Sequence, residues 1–264
     1  MRPDVSICLL TWNRADFLEI CLEKMFAALK PTESGGLSRE IIIMDNCSSD
    51  GTPAVLEKYR NRPDVKIVRN RKNLRFGAYK RLFYMARGRT IIDVDDDILE
   101  FPVNFDETLV KYLDVYRDYG FLACNVVQNE KTDGSRPRNA RYVEDRRGGM
   151  VVEEGPTGGW CSAFRRKDYL WIKLLIFLFK IDAKTPEDAY IASLCFRLRK
   201  RIGIVKDAVC FHASGPVYAR ENNHLEREIE KYRAGGNPGE ALRYESEKNG
   251  GAPSTSQTVC ATSS

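Results

Sequence analysis

Short apolar runs alternate with amphipathic stretches through the first hundred residues. Val5-Ser6-Ile7-Cys8-Leu9-Leu10, Ile41-Ile42-Ile43-Met44, Val65-Lys66-Ile67-Val68 and Thr90-Ile91-Ile92-Asp93-Val94 are brief, rich in β-branched side chains and bounded by polar turns. That is the pattern of buried strands rather than helices. Between them lie helical periods. Leu18, Leu22, Met25 and Leu29 fall on one stripe, ended by Pro31 and the Glu33–Gly36 loop; a second helix runs from Thr52 to about Tyr59, and a third covers Ala78–Ala86 before Gly88. Strand–helix alternation of this kind predicts an α/β fold, a mainly parallel central sheet with right-handed crossovers.

The pattern is less regular beyond residue 100. Phe105–Tyr119 predicts a helix with Leu109, Tyr112, Leu113 and Tyr116 on one face, followed by a strand at Phe121–Val127. Glu130–Gly149 is polar and poor in apolar residues, which predicts a long mobile loop. Its arginines (Arg136, Arg138, Arg141, Arg146, Arg147) fit either a solvated surface or a lid closing over a phosphorylated ligand. Gly158–Phe164 combines small residues with Trp160, as a sugar-binding wall or a plain buried indole would. Thr185-Pro186-Glu187-Asp188 has the composition of a helix start, continued by Ile191, Leu194, Cys195 and Leu198 on one face. Ile202–Val205 and Val209–Phe211 predict two short strands, the second ending at His212. From about Arg233 the chain is polar and rich in Gly, Pro, Ser and Thr, so 233–264 is expected to be a disordered tail.

Composition narrows the function classes. A chain of 264 residues, 43% apolar, can build a substantial core, and a formal charge of +5 with both signs interleaved argues weakly for nucleic acid but suits an anionic small molecule. The eight cysteines form no Cys-x-x-Cys pair and several sit in apolar runs, so reduced, buried thiols and a cytosolic compartment are expected. The first apolar run is broken at once by Asn13-Arg14-Ala15-Asp16, unlike a signal peptide. Leu170–Ile181 is the most apolar window but is interrupted by Lys173 and Lys180 and falls short of the roughly 20 residues that span a bilayer. A buried helix is its expected role, with peripheral contact to a membrane carrying a lipid acceptor as the alternative.

Candidate chemistry gathers at strand ends. Asp93, Asp95, Asp96 and Asp97 crowd the end of the fourth strand. A divalent cation is the simplest relief of their repulsion, with a solvated acidic loop after the strand as the alternative, and the oxygen-only ligand set suits Mg²⁺ or Mn²⁺ rather than Zn²⁺. Asp95 and Asp97 are two apart and would share one metal and one phosphate, leaving Asp93 and Asp96 for other work. Ligands of parallel sheets bind at the carboxyl ends of the strands. The polar segments Thr11–Arg14, Asp45–Asp50, Arg71–Gly77 and Asp95–Asp97 all follow strands, so they should converge at one edge.

In order along the chain, these segments resemble the GT-A nucleotide-sugar glycosyltransferases of family two over roughly residues 4 to 212. Thr11-Trp12-Asn13-Arg14 is similar to that family's Thr-Tyr-Asn-Arg turn, and Asp45-Asn46-Cys47-Ser48-Ser49-Asp50-Gly51-Thr52 to its Asp-Asn-Gly-Ser-x-Asp-Gly-Thr, with Cys47 in place of glycine. Asn73 and Gly77 echo its Asn-x-Gly region, Asp95-Asp96-Asp97 its Asp-x-Asp metal motif after Gly88, and Glu187-Asp188 its Glu-Asp base motif.

The resemblance implies a Rossmann-like, three-layer GT-A fold, with a donor half at 1–100 and an acceptor half at 101–232 of one domain. It implies donor contacts from Thr11, Asn13, Arg14, Asp45, Asn73, Gly77, Asp95 and Asp96, with Asp45 on the base of a donor for which UDP is favoured, and Asp95 near the ribose. It implies Mn²⁺ or Mg²⁺ on Asp97 and Asp95, with His212 as an extra metal or phosphate contact or a satisfied core histidine. Asp188 would be the general base of an inverting transfer, with Glu187 beside it, and the acceptor a glycan, a lipid-linked sugar or a protein. Two other classes share parts of this pattern. A sugar-nucleotide pyrophosphorylase needs a Gly-rich loop after the first strand, which Thr11–Arg14 lacks; a non-catalytic nucleotide-sugar or glycan-binding module would not need Glu187-Asp188. A nucleic-acid binder ranks last, because no recognised motif accompanies the Arg69–Arg75 and Arg197–Arg201 clusters.

Overall fold

A computed structural model of the chain describes residues 2–132, 136, 140–171 and 187–249; the side chains of 187–190 and 194 lie outside that description. The chain forms two compact units, Met1–Ser214 and Gly215–Ser264.

The first unit is built on one twisted sheet. Strands β1 (Val5–Thr11), β2 (Arg39–Asp45), β3 (Val65–Arg69) and β4 (Thr90–Asp95) are all parallel, in the spatial order β3-β2-β1-β4. The sheet continues through β9 (Cys161–Arg165), β6 (Tyr119–Val126), β10 (Arg201–His212), β8 (Met150–Glu154) and β7 (Val143–Arg147), with β5 (Ile98–Glu100) pairing the end of β10. β9 runs antiparallel to both β4 and β6, while β6 and β10 are parallel.

The period-two alternation of the strands feeds two cores, one on each face. Val5, Ile7 and Leu9 pack with Leu18, Leu22 and Met25 of helix α1 (Ala15–Ala28) and with Leu109 and Leu113 of a later helix, Phe105–Val115. Cys8, Ile42 and Met44 face the other way, onto Ala78, Leu82 and Phe83 of the helix Gly77–Met85 and onto Ile191 and Cys195 of the helix Glu187–Arg197. Helix, sheet, helix is the three-layer arrangement expected. The turn into β4 needs glycine: a Cβ on Gly88 would lie 2.4 Å from the Ser6 backbone nitrogen, and the Gly88 N–H donates to Ser6 Oγ.

Several expectations are corrected. The helix expected over Phe105–Tyr119 ends at Val115, and Tyr119 opens β6. Tertiary packing overrides the local period here: the Tyr116 hydroxyl lies between the carbonyls of Asp145 and Met150, 2.8 and 2.7 Å away, with its one proton to share between them, and its ring packs edge-on against Tyr119. The stretch expected as a loop over 130–149 contains β7 and, through a turn at Gly148 and Gly149 with φ of +54° and +80°, leads into β8. That is the backbone that glycine pairs favour in hairpins. Among the described residues of this stretch, Arg136 and Arg147 are held in ion pairs, while Arg141 and Arg146 are exposed as a solvated surface would have them. Arg147 grips Asp118 and Asp145, Arg201 reaches Asp118, Asp145 and Glu154, and Arg136 pairs with Glu153. Arg138 lies outside the described residues.

The small-residue stretch after Gly159 is a central strand, β9. The two short strands expected at 202–211 are one strand, β10, with a register shift between Val205 and Val209. The segment 233–249, expected to be disordered, is the end of one helix and the whole of another: Leu225–Ala234 and Pro238–Lys248 join Pro216–Glu221 around Ala219, Ile229 and Tyr244 to form the second unit. Residues 250–264, most of Leu170–Ile181, and Thr185 and Pro186 lie outside the described residues. Among the described residues no helix is long and apolar enough to cross a membrane.

Candidate active site

The parallel register brings the polar strand ends together. Thr11 at the end of β1 is paired with Asp45 at the end of β2, and Leu10 is paired with Asp95 at the end of β4. Backbone bonds extend the ladder, from Asn46 N–H to the Thr11 carbonyl and from Asn70 N–H to the Asp45 carbonyl. The expected convergence of four polar segments is therefore a matter of strand order: β3, β2, β1 and β4 are neighbours, and each segment follows one of them.

The loop after β1 is zipped to the loop after β2. Asn13 stands at φ +48°; its N–H donates to Ser48 Oγ, and its Oδ1 accepts the Ser49 N–H at 2.7 Å. Asp45 is 3% exposed and its Oδ1 accepts the Ser48 N–H at 2.8 Å. Asp50 accepts from Ala15 N–H and Thr52 N–H, joining the starts of two helices. Cys47, standing where the resemblance has glycine, adopts φ +71° and is exposed.

The loop after β3 is held by an amide network that the sequence reading did not single out. Asn46 Oδ1 accepts from Asn70 Nδ2 and from Leu74 N–H, each at 2.9 Å, while Asn46 Nδ2 donates to Asn73 Oδ1 at 2.8 Å. Asn73 Oδ1 also accepts the Arg75 N–H, and Arg81 donates to Asn70 Oδ1. Asn73 is thus an internal brace of the loop; Gly77 opens the following helix with open space where a Cβ would stand. The signal that could have revealed Asn46 is its place directly after the strand-ending Asp45, where an amide can serve both neighbouring loops.

Around the Asp95–Asp97 turn the carboxylates divide into two sets. Asp96 faces inward: Oδ2 accepts from Thr11 Oγ1 at 2.8 Å and Oδ1 from Arg14 Nη1 at 2.8 Å. The same Arg14 nitrogen lies 2.7 Å from Asp97 Oδ2, and all three of Arg14, Asp96 and Asp97 are buried. On the other side, His212 Nε2 lies 3.0 Å from Asp97 Oδ1 and 3.7 Å from Asp95 Oδ2. β5 and β10 make this meeting: Ile98 pairs with His212, and Ala213 N–H donates to the Asp97 carbonyl. Trp160, buried and anchored by its indole N–H on the Cys124 carbonyl, stacks on His212 at 6.2 Å. It backs the imidazole and is not an exposed wall.

Burial works against the His212 imidazolium, but the Asp97 charge and hydrogen bond, with Asp95 behind, raise its pKa above the ordinary value. Asp95 is the most accessible of the three acids, and the Tyr79 hydroxyl lies 3.4 Å from its Oδ1. Asp95, Asp97 and His212 each offer an atom within 4.8 Å of the others, the one such group of three among the described residues. Two carboxylates and one imidazole at that spacing fit a divalent cation. Glu187 and Asp188 open the helix Glu187–Arg197, but their side chains lie outside the described residues.

Comparison with known proteins bears on the fold and the family. Among solved structures, a mannosyltransferase from Pyrobaculum calidifontis, in complex with GDP-Man and Mn²⁺, superposes with a TM-score of 0.57 at 18% identity, over 97% of this chain and 77% of that one. A GalNAc-T7 structure with UDP, GalNAc and Mn²⁺ gives 0.61 at 15% identity, over 94% and 55%. Such likeness shows the fold, which is the GT-A fold expected. Among curated proteins, the undecaprenyl-phosphate 4-deoxy-4-formamido-L-arabinose transferase of Edwardsiella ictaluri is 24% identical over 53% of this chain and 42% of its own length. The abequosyltransferase RfbV of Salmonella typhimurium is 32% identical over 28% of this chain and 21% of its own. The matches thus span less than half the length of these curated relatives. The profile of glycosyl transferase family 2 matches residues 6–201, from β1 into β10, and the chain belongs to glycosyl transferase family 2.

Proposed function

We propose that the protein transfers a sugar from a nucleotide-diphosphate sugar to an acceptor hydroxyl, with inversion, using a divalent cation. The observation that carries this reading is the convergence of Asp95, Asp97 and His212 at the carboxyl edge of the parallel strands, in a chain of this family. Asp95, Asp97 and His212 would hold the cation. Bound there, it would neutralise charge developing on the departing nucleoside diphosphate. An imidazole beside two carboxylates favours Mn²⁺ over Mg²⁺, which prefers all-oxygen octahedra.

The chain's own groups supply the rest. Asp45 and the braced loops after β2 and β3 flank the strand edge where a base would lie, and a carboxylate there can accept an imide N–H, which favours a uridine donor. Asp188, in the first turn of its helix, is assigned as the base that takes the acceptor hydroxyl proton, with Glu187 beside it. Holding donor and acceptor in one geometry supplies much of the remaining rate. The acceptor class is a glycan, a lipid-linked sugar or a protein hydroxyl, and the expected setting is cytosolic or peripheral at a membrane.

The test is a thermal-shift screen of nucleotide-sugars with and without Mn²⁺. Ligands that bind the native state raise its apparent stability by mass action. One class of UDP- or GDP-linked sugar should raise the melting temperature only when Mn²⁺ is present, and should then be consumed with release of the nucleoside diphosphate when acceptors are added. No Mn²⁺-dependent shift with any nucleotide-sugar would overturn the proposal.

A further inference from the structure

Arg14 does not reach toward the open edge of the sheet. It is buried behind the carboxylate turn, with one nitrogen shared between Asp96 Oδ1 at 2.8 Å and Asp97 Oδ2 at 2.7 Å. Its anchor is itself anchored, because the other Asp96 oxygen accepts from Thr11 Oγ1. Asp97 is therefore split between two neighbours. Oδ2 is held from behind by the guanidinium, and Oδ1 is turned toward His212 Nε2. A carboxylate with no such hold can rotate and offer either or both oxygens.

We infer that Arg14 is a positioning residue of the cation site: it fixes the Asp97 carboxylate so that Oδ1 alone is presented beside Asp95 and His212. The inference rests on the proposed function, since it assumes that a divalent cation binds there. Charge points the same way. Three carboxylates in the turn against one guanidinium leave two negative charges, matched to a divalent ion, and a buried cation is what allows Asp96 and Asp97 to be buried so close together. Geometry matters too, because the N–H bonds of Nη1 lie at fixed angles in the guanidinium plane, whereas an ammonium on a flexible stem fixes no such angles. Arg14 thus acts through Asp97, as groups behind a metal ligand commonly orient it.

The test uses the full chain and reads Mn²⁺ binding rather than turnover. Free Mn²⁺ is titrated by electron paramagnetic resonance, alone and with UDP or GDP present, for wild type, Arg14→Lys, Asp97→Asn and the double variant. Nucleotide binding in EDTA and circular dichroism are measured alongside. Arg14→Lys keeps the charge, so the expected result is a native spectrum, unchanged nucleotide binding in EDTA and Mn²⁺ affinity weakened about 10–100-fold. On the Asp97→Asn background the same change should add no further loss, because the carboxylate it positions is gone. If Arg14→Lys does not fold, Asp96→Asn takes its place: it removes one carboxylate partner of Arg14 and one negative charge, and Mn²⁺ affinity should fall again. Wild-type Mn²⁺ affinity in the folded variant, or an equal loss on the Asp97→Asn background, overturns the positioning role. Weaker nucleotide binding in EDTA with Mn²⁺ affinity intact would instead make Arg14 a donor contact. Wild type that binds no Mn²⁺, or binds it as tightly as Asp97→Asn, overturns the metal reading itself.

Discussion

His212 Nε2 sits 3.0 Å from Asp97 Oδ1, although the two residues lie on separate segments far apart in sequence. The last strand of the sheet, β10, carries His212 to the turn after β4, and the short β5–β10 pairing clamps it there. The imidazole is stacked on the buried Trp160, so its approach to the acids is built in.

If His212 is a cation ligand, His212→Gln should weaken Mn²⁺ binding by tenfold or more, at least what outer-shell changes cost. It should also narrow the preference for Mn²⁺ over Mg²⁺, because the nitrogen donor is lost. Titration of both ions against the variant checks this. Unchanged affinity and selectivity would leave His212 as a core histidine paired with Asp97.

Asp45→Ala should weaken nucleotide binding while leaving Mn²⁺ affinity in the absence of nucleotide near wild type, since Asp45 ends β2 and does not belong to the carboxylate turn. Calorimetry with UDP and with GDP separates the two. Wild-type affinity for both nucleotides would remove Asp45 from the base contact.

Asn46 is 3% exposed and serves the backbone or side chains of Asn70, Asn73 and Leu74. Asn46→Ala should cost about 1–3 kcal/mol of stability, because buried partners are left unsatisfied. Denaturant unfolding measures that cost. Nucleotide affinity should fall with it, as the loop after β3 loses its brace, and a variant as stable as wild type would show that water replaces the amide.

Most of the first hundred residues was legible because local pattern and tertiary role agree there. The strands β1, β2 and β4 are cored by buried apolar runs, β3 is a short β-branched edge strand that alternates with Lys66, and the helices between them carry their stripes. β9 was missed because Cys161-Ser162-Ala163 is small and only weakly patterned, yet it lies between β4 and β6 at the centre of the sheet. β7 was missed for the opposite reason: Glu144, Asp145, Arg146 and Arg147 make a strand whose side chains are satisfied by ion pairs instead of an apolar face. The site divides in the same way. Asp95 and Asp97 could be paired from their spacing, but the inward turn of Asp96 onto Thr11 and Arg14 depends on where β1 lies beside β4, which spacing alone does not encode.

Asp188 is the residue on which the chemical step depends in the proposed mechanism. Asp188→Asn should keep a near-normal melting temperature and donor affinity and lose about 10²–10⁴-fold in single-turnover transfer. A helix-terminus role alone is worth typically 0.3–1 kcal/mol and would leave the rate almost intact. Normal transfer in Asp188→Asn, with Glu187→Gln defective, moves the base to Glu187.

The most direct measurement is a crystal of the protein grown with Mn²⁺ and UDP or GDP, with anomalous scattering recorded at the manganese edge. One strong peak should lie within coordination distance of Asp95, Asp97 Oδ1 and His212 Nε2, and contact the diphosphate, with Arg14 still on Asp97 Oδ2. Manganese bound elsewhere, or nucleotide bound at the strand ends with no metal between it and Asp97, would contradict a metal-dependent transferase centred on these residues.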